Sequence, residues 1–130
     1  MLLNIITPEK ILYSADARQV TIPGTEGDFG VLEGHAPFIS TIRPGVITIE
    51  SEGAGLRKIS IMGGIAEVVP EHCTVLAEGA EDCTAMVLSE AQKKLDDAKA
   101  VFTQADTDAE KKDAGKKLML AEALVYNAAA

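Results

Sequence analysis

The hydrophobic period of this chain changes once, near Leu88, and that change dictates a β-rich unit followed by a helical one. From Leu2 onward, short runs rich in β-branched residues recur every 8–12 residues: 2–6, 18–22, 38–42, 46–50, 57–61, 65–69, 73–77 and 84–88. Ile47 and Ile49 alternate with Thr48 and Glu50, and Ile59 and Ile61 alternate with Lys58 and Ser60. Alternation of this kind buries one face of a strand and wets the other, so many such strands predict an antiparallel β-sandwich or flattened barrel. Gly53 and Gly55 place a hairpin turn in ESEGAG, and Gly63–Gly64 marks a bulge or a close backbone approach.

Past Leu88 the apolar residues step by four and three. Ala91, Leu95, Ala98, Phe102 and Ala105 form one helical seam, and Ala114, Leu118, Ala121, Val125 and Ala128 form another. Ser89 with Gln92, and Thr107 with Glu110, have the spacing of capping boxes that open the two helices. The short connection predicts an antiparallel helical hairpin. The fold class is therefore α+β, mainly β, with a sandwich over 1–87 and a hairpin over 88–130. An alanine-rich seam packs closely but buries little, and Gly115 weakens the second helix further, so the hairpin can open locally at modest cost.

Between Pro23 and Gly45 the chain reads PGTEGDFGVLEGHAPFISTIRPG. Glycine supplies positive φ and proline fixes φ, so this stretch must be a tightly shaped run of turns between short strands. Its glycine spacing lacks the Gly-Lys-Ser/Thr of a phosphate loop, and Glu26 and Asp28 would repel phosphate.

Charge excludes other roles. The net charge is −8, of which residues 1–87 hold −7 and residues 88–130 only −1. Nucleic acid and anionic lipid both demand a positive surface, so neither is a direct ligand. With two histidines and no GxSxG elbow, the chain lacks the makings of a metal centre or a serine hydrolase, and no catalytic site is expected. His72, after Pro70 and Glu71, reads as an exposed turn residue. Cys73 and Cys83 read as free thiols rather than a disulfide. No leader segment and no stretch long enough to cross a membrane is expected. Lys111, Lys112, Lys116 and Lys117 cluster on the second helix. Asp108 and Asp113 stand four residues before Lys112 and Lys117, which favours solvated ion pairs over an acidic docking site.

The string Pro23–Pro37, then Pro44–Gly45, then Gly63-Gly64-Ile65-Ala66-Glu67-Val68, then the Cys73–Ala77 strand resembles the signature of the epsilon subunit of bacterial F-type ATP synthases, called delta in mitochondria. The resemblance covers essentially the whole chain. It implies a non-catalytic rotor component without a cofactor, clamping the gamma shaft onto the c-ring so that proton-driven torque reaches the catalytic head. It also implies a peripheral position on the cytoplasmic face of the plasma membrane, held there by partners, with alpha and beta reachable through the hairpin. Asp28 aligns with the family's acidic position facing the c-ring. His35, with Gly34 and Pro37, aligns with the loop near the shaft, and Glu33 beside them is a further candidate for the interface with gamma and the c-ring.

Some members bind ATP through an Ile/Leu-Asp-x-x-Arg-Ala motif opening the first helix. Here that stretch is Leu88-Ser89-Glu90-Ala91-Gln92-Lys93, which leaves Glu90 and Gln92 as the nucleotide-binding candidates. Ser89 replaces the Asp and Gln92 the Arg, and an amide cannot replace the charged fork of guanidinium on phosphate. Weak or absent ATP binding is expected. The end of the chain, ALVYNAAA, also lacks the basic residues of inhibitory members, which implies a weakened regulatory role. The rival expectation is a free-standing sandwich that senses a small molecule and uses the hairpin as a switch.

Overall fold

The computed structural model describes residues 1–53 and 55–128; Ala54 of the ESEGAG turn and the last two residues of the 88–130 unit lie outside them. Ten strands precede two helices. The strands are β1 (Leu2–Ile6), β2 (Ile11–Asp16), β3 (Gln19–Gly24), β4 (Gly27–Leu32), β5 (Phe38–Ile42), β6 (Gly45–Ser51), β7 (Gly55–Ile61), β8 (Gly64–Val69), β9 (His72–Ala77) and β10 (Ala80–Asp82). The helices are α1 (Leu88–Gln104) and α2 (Asp108–Asn127).

The strands form two layers. One is ordered β10-β7-β6-β3 with β4 beside β3; the other is β5-β8-β9-β1-β2, and the layers join where Gly24 pairs Ile42. Alternation decides what goes inside. Ile47, Ile49, Ile59 and Ile61 from one layer meet Leu3, Ile5, Val68 and Val75 from the other in one core, none more than 1% exposed. Each buried side chain of this size contributes about 1.5–3 kcal/mol. The sandwich is antiparallel with one exception, since β1 runs parallel to β9 (Leu2 opposite His72, Ile6 opposite Leu76).

Three details depart from the sequence reading. ILYSAD and GDFGVL form β2 and β4, although neither shows clean alternation. Residues 84–88 form no strand: Thr84 and Ala85 turn, and the helix has already begun at Leu88. The cap of α1 is accordingly Val87 rather than Ser89, with the Glu90 carboxylate accepting from the Val87 N–H at 3.5 Å. At α2 the expected cap is present, Thr107 Oγ1 accepting from the Glu110 N–H at 3.1 Å.

The hairpin lies on the outer face of the first layer, where α2 packs over β6. A small cluster seals it: Val46, Cys83, Ala91 and Leu124. Leu124 is buried while its neighbour Val125 is only half-buried, and Phe102 is 42% exposed, so the seam is rotated toward the sandwich relative to the one read from spacing. The Lys116 ammonium pairs with Glu78 at 3.3 Å, and Lys117 pairs with Asp113 at 3.0 Å.

Candidate functional site

The glycine- and proline-rich stretch builds an edge. Thr25 and Glu26 turn β3 into β4, and β4 pairs with β3 alone. Asp28, near the start of β4, lies opposite Pro23. Its carboxylate is held at 2.5 Å by the Arg43 guanidinium, which also donates to the Gly24 carbonyl at 2.6 Å. Asp28 is thus not a bare negative charge but half of an exposed ion pair. That pair rims a groove of about 430 Å³ shared with Met119 and Tyr126 of α2.

Glu33, Gly34, His35 and Pro37 sit together at the far end of β4, about 17 Å from Asp28 at ordinary strand rise. Gly34 adopts φ +85° and its N–H donates to the Pro70 carbonyl at 2.8 Å, which ties this loop to the β8–β9 turn. Glu33 lies 3.8 Å from the Met1 ammonium, which Asp16 also holds at 2.9 Å. His35 places Nδ1 2.7 Å from the Ala36 carbonyl, and its ring leans on Phe38. Phe38 of β5 in turn meets Phe29 of β4 edge-on, the ring centroids 5.2 Å apart. The expected interface residues therefore mark two ends of one edge rather than one spot.

A larger feature escaped the sequence reading. Pairing register sets Thr41, Ile65, Leu76, Ile6 and Ile11 side by side across all five strands of the second layer. They point away from the core, and Ile65, Leu76 and Ile11 are 46%, 54% and 64% exposed. Pro8, Pro44 and Met62 extend this row into an apolar groove of about 660 Å³, whose lining also includes Glu78 and Lys116. An uncovered apolar row on a sheet marks an interaction surface. One faint signal was available: with Ala66, Val68, Cys73 and Val75 filling the core, Ile65 and Leu76 stand as large apolar residues on an outward face that also carries Glu67, His72 and Thr74.

The motif strings and the sandwich-then-hairpin order have a match among known proteins. The family model described as "ATP synthase, Delta/Epsilon chain, beta-sandwich domain" matches residues 1–83. This chain belongs to the ATP synthase delta/epsilon family. The ATP synthase epsilon chain of Rhodospirillum rubrum is 40% identical over 122 residues, spanning 94% of this chain and 91% of that one. The epsilon chain of Parvibaculum lavamentivorans is 51% identical over 75 residues, 58% of this chain and 57% of that one. Two solved structures share the fold. A chain of the Euglena gracilis mitochondrial ATP synthase OSCP/F1/c-ring structure matches with TM-score 0.77 and 24% identity, covering 94% of this chain and 77% of that chain. A chain of the Tetrahymena thermophila central stalk/c-ring structure matches with TM-score 0.67 and 18% identity, covering 95% of each.

Delta/epsilon chains are non-catalytic subunits of the synthase. The chemistry of this one is consistent with that. Burial pushes the Cys73 thiol up to about 11 and raises that of Cys83, so neither is an activated nucleophile. No helix among the described residues is long and apolar enough to cross a membrane. The nucleotide candidates stand in the first turns of α1, where the exposed Gln92 amide donates to Asp96 at 3.2 Å. Calorimetric titration with ATP is expected to show no binding in the low-micromolar range; a constant there would reverse the reading of this degenerate motif.

Proposed function

We propose that this chain is the epsilon subunit of the synthase central stalk, fixing gamma to the c-ring so that proton-driven rotation is transmitted to the catalytic head. The observation that carries this reading is the asymmetry of the sandwich. Its own hairpin covers one outer face, while the other outer face bears an uncovered apolar row. The bare face receives gamma, with Ile65, Leu76 and Ile11 as its anchors. Asp28 with Arg43 turns toward the polar loops of the c-ring, and the Glu33–Pro37 loop toward the foot of the shaft.

A close-packed core deforms little, which suits an element that passes torque and does no chemistry. Residues 1–87 form the rotor-binding unit and 88–130 the hairpin that can reach alpha and beta. The acidic surface keeps the chain off lipid, so partners alone hold it at the cytoplasmic face of the membrane.

The test is a tagged pull-down from detergent-solubilised membranes, read by mass spectrometry. Recovery of alpha, beta, gamma and c, reduced by Asp28→Lys, is expected. Recovery of the chain alone would sink the rotor reading. The groove of about 660 Å³ lies within the usual range for small ligands, so a free-standing sensor would then take its place.

A further inference from the structure

A helix ends in unpaired carbonyls and a partial negative charge, and a basic residue in the last turn usually answers them. The last turn of α2 has none. The cation comes instead from the sandwich. Lys58 of β7, half-buried, donates from its ammonium to the main-chain carbonyl of Asn127, the final residue of α2. The two residues are 69 positions apart.

The backbone of Lys58 meets the other root of the hairpin. Its N–H donates to Thr84 Oγ1 at 2.9 Å, and its carbonyl accepts from the Cys83 N–H at 2.9 Å. One residue therefore grips both the segment that launches α1 and the carbonyl end of α2. The apolar seal beside it has Val46, Cys83, Ala91 and Leu124 as its buried members, with Met86, Leu120, Ala123, Val125 and Ala128 half-buried against them. A second polar cross-contact, Lys116 with Glu78, is exposed on both sides and contributes little.

We propose that Lys58 is a latch, a helix cap supplied by the sandwich that holds the hairpin down and loosens with salt. It is a positioning residue, and the inference stands whether or not the chain works in a rotor. The two cysteines provide a readout with an internal control. Cys83 is buried in the cluster shared with the hairpin, whereas Cys73 is buried in the core of the sandwich itself.

The experiment compares iodoacetamide labelling of Cys83 and Cys73 in the full chain, located by tandem mass spectrometry. Lys58→Met is expected to speed Cys83 labelling about tenfold, the order of effect of losing a charge-assisted hydrogen bond, with Cys73 unchanged. Lys58→Arg should stay near the unmodified chain, and in that chain Cys83 labelling should rise with salt. Removing the nearby positive charge by itself disfavours the Cys83 thiolate, so acceleration would report opening and not reactivity. Unchanged Cys83 labelling in Lys58→Met would overturn the proposal. Parallel acceleration at Cys73 would also overturn it, because Lys58 would then be holding the sandwich and not the hairpin.

Discussion

An aspartate at Ile65 or Leu76 is expected to weaken gamma binding severely while leaving the sandwich folded. Both side chains lie near half-exposed on the outer face of the second layer, so a carboxylate there meets water in the free chain and costs little stability. In a sealed interface the same carboxylate would be stripped of water without a partner. The penalty is about 3 kcal/mol or more, which corresponds to a loss of affinity of about a hundredfold. Leu56→Asp, equally exposed on the first layer, is the control and should bind normally. Titration of purified gamma against the three variants by interferometry, with circular dichroism to verify folding, decides the matter. Undiminished binding by Ile65→Asp and Leu76→Asp would show that gamma docks elsewhere.

The second large effect is on stability. Gly64 has φ +155°, and a Cβ built there would stand 2.1 Å from the Leu76 carbonyl oxygen and 3.1 Å from the Ala77 Cα. Both obstacles are backbone of the paired strand, Gly64 lying opposite Ala77, so no side-chain rotation relieves them. Gly64→Ala must push β8 away from β9 in the middle of the second layer. The expected cost is about 3 kcal/mol or more, a fall in melting temperature of roughly 10 °C. Gly30→Ala serves as the contrast, because its Cβ would meet only the Gln19 side chain at 3.6 Å. Thermal unfolding followed at the β-sheet band measures both, and a Gly64→Ala midpoint within two or so degrees of the parent would refute the steric account.

These two sites show what the sequence could and could not disclose. Gly63–Gly64 was legible as a close approach because glycine at a strand start has few other reasons to be there, but the atom it avoids belongs to Leu76, which only pairing reveals. The β6–β7 hairpin was legible from strict alternation and a glycine turn. β4 was not, since GDFGVL carries two glycines and only Val31 is fully buried, as befits an edge strand. Residues 84–88 are β-prone in type yet follow the three-residue β10 with a turn, where tertiary position overrode propensity. The apolar row was hidden for a deeper reason. Its members come from β5, β8, β9, β1 and β2, and their alignment depends on registers between strands far apart in the chain. Asp28 and the Glu33–Pro37 loop were found through motif resemblance, but their separation along one strand edge, and the neutralisation of Asp28 by Arg43, needed coordinates.

The parallel pairing of β1 with β9 also dictates an order of events during synthesis. β1 occupies the interior of its layer, between β2 and β9, with Leu2 paired to His72. β1 leaves the ribosome about seventy residues ahead of β9, its second neighbour. Until that strand emerges, one edge of β1 stays open to any passing strand. The helices need no such wait, because each forms from contacts along its own length. The nascent chain thus carries β1 half-paired while β3 to β8 are made, and the arrival of β9 is the step that closes the second layer.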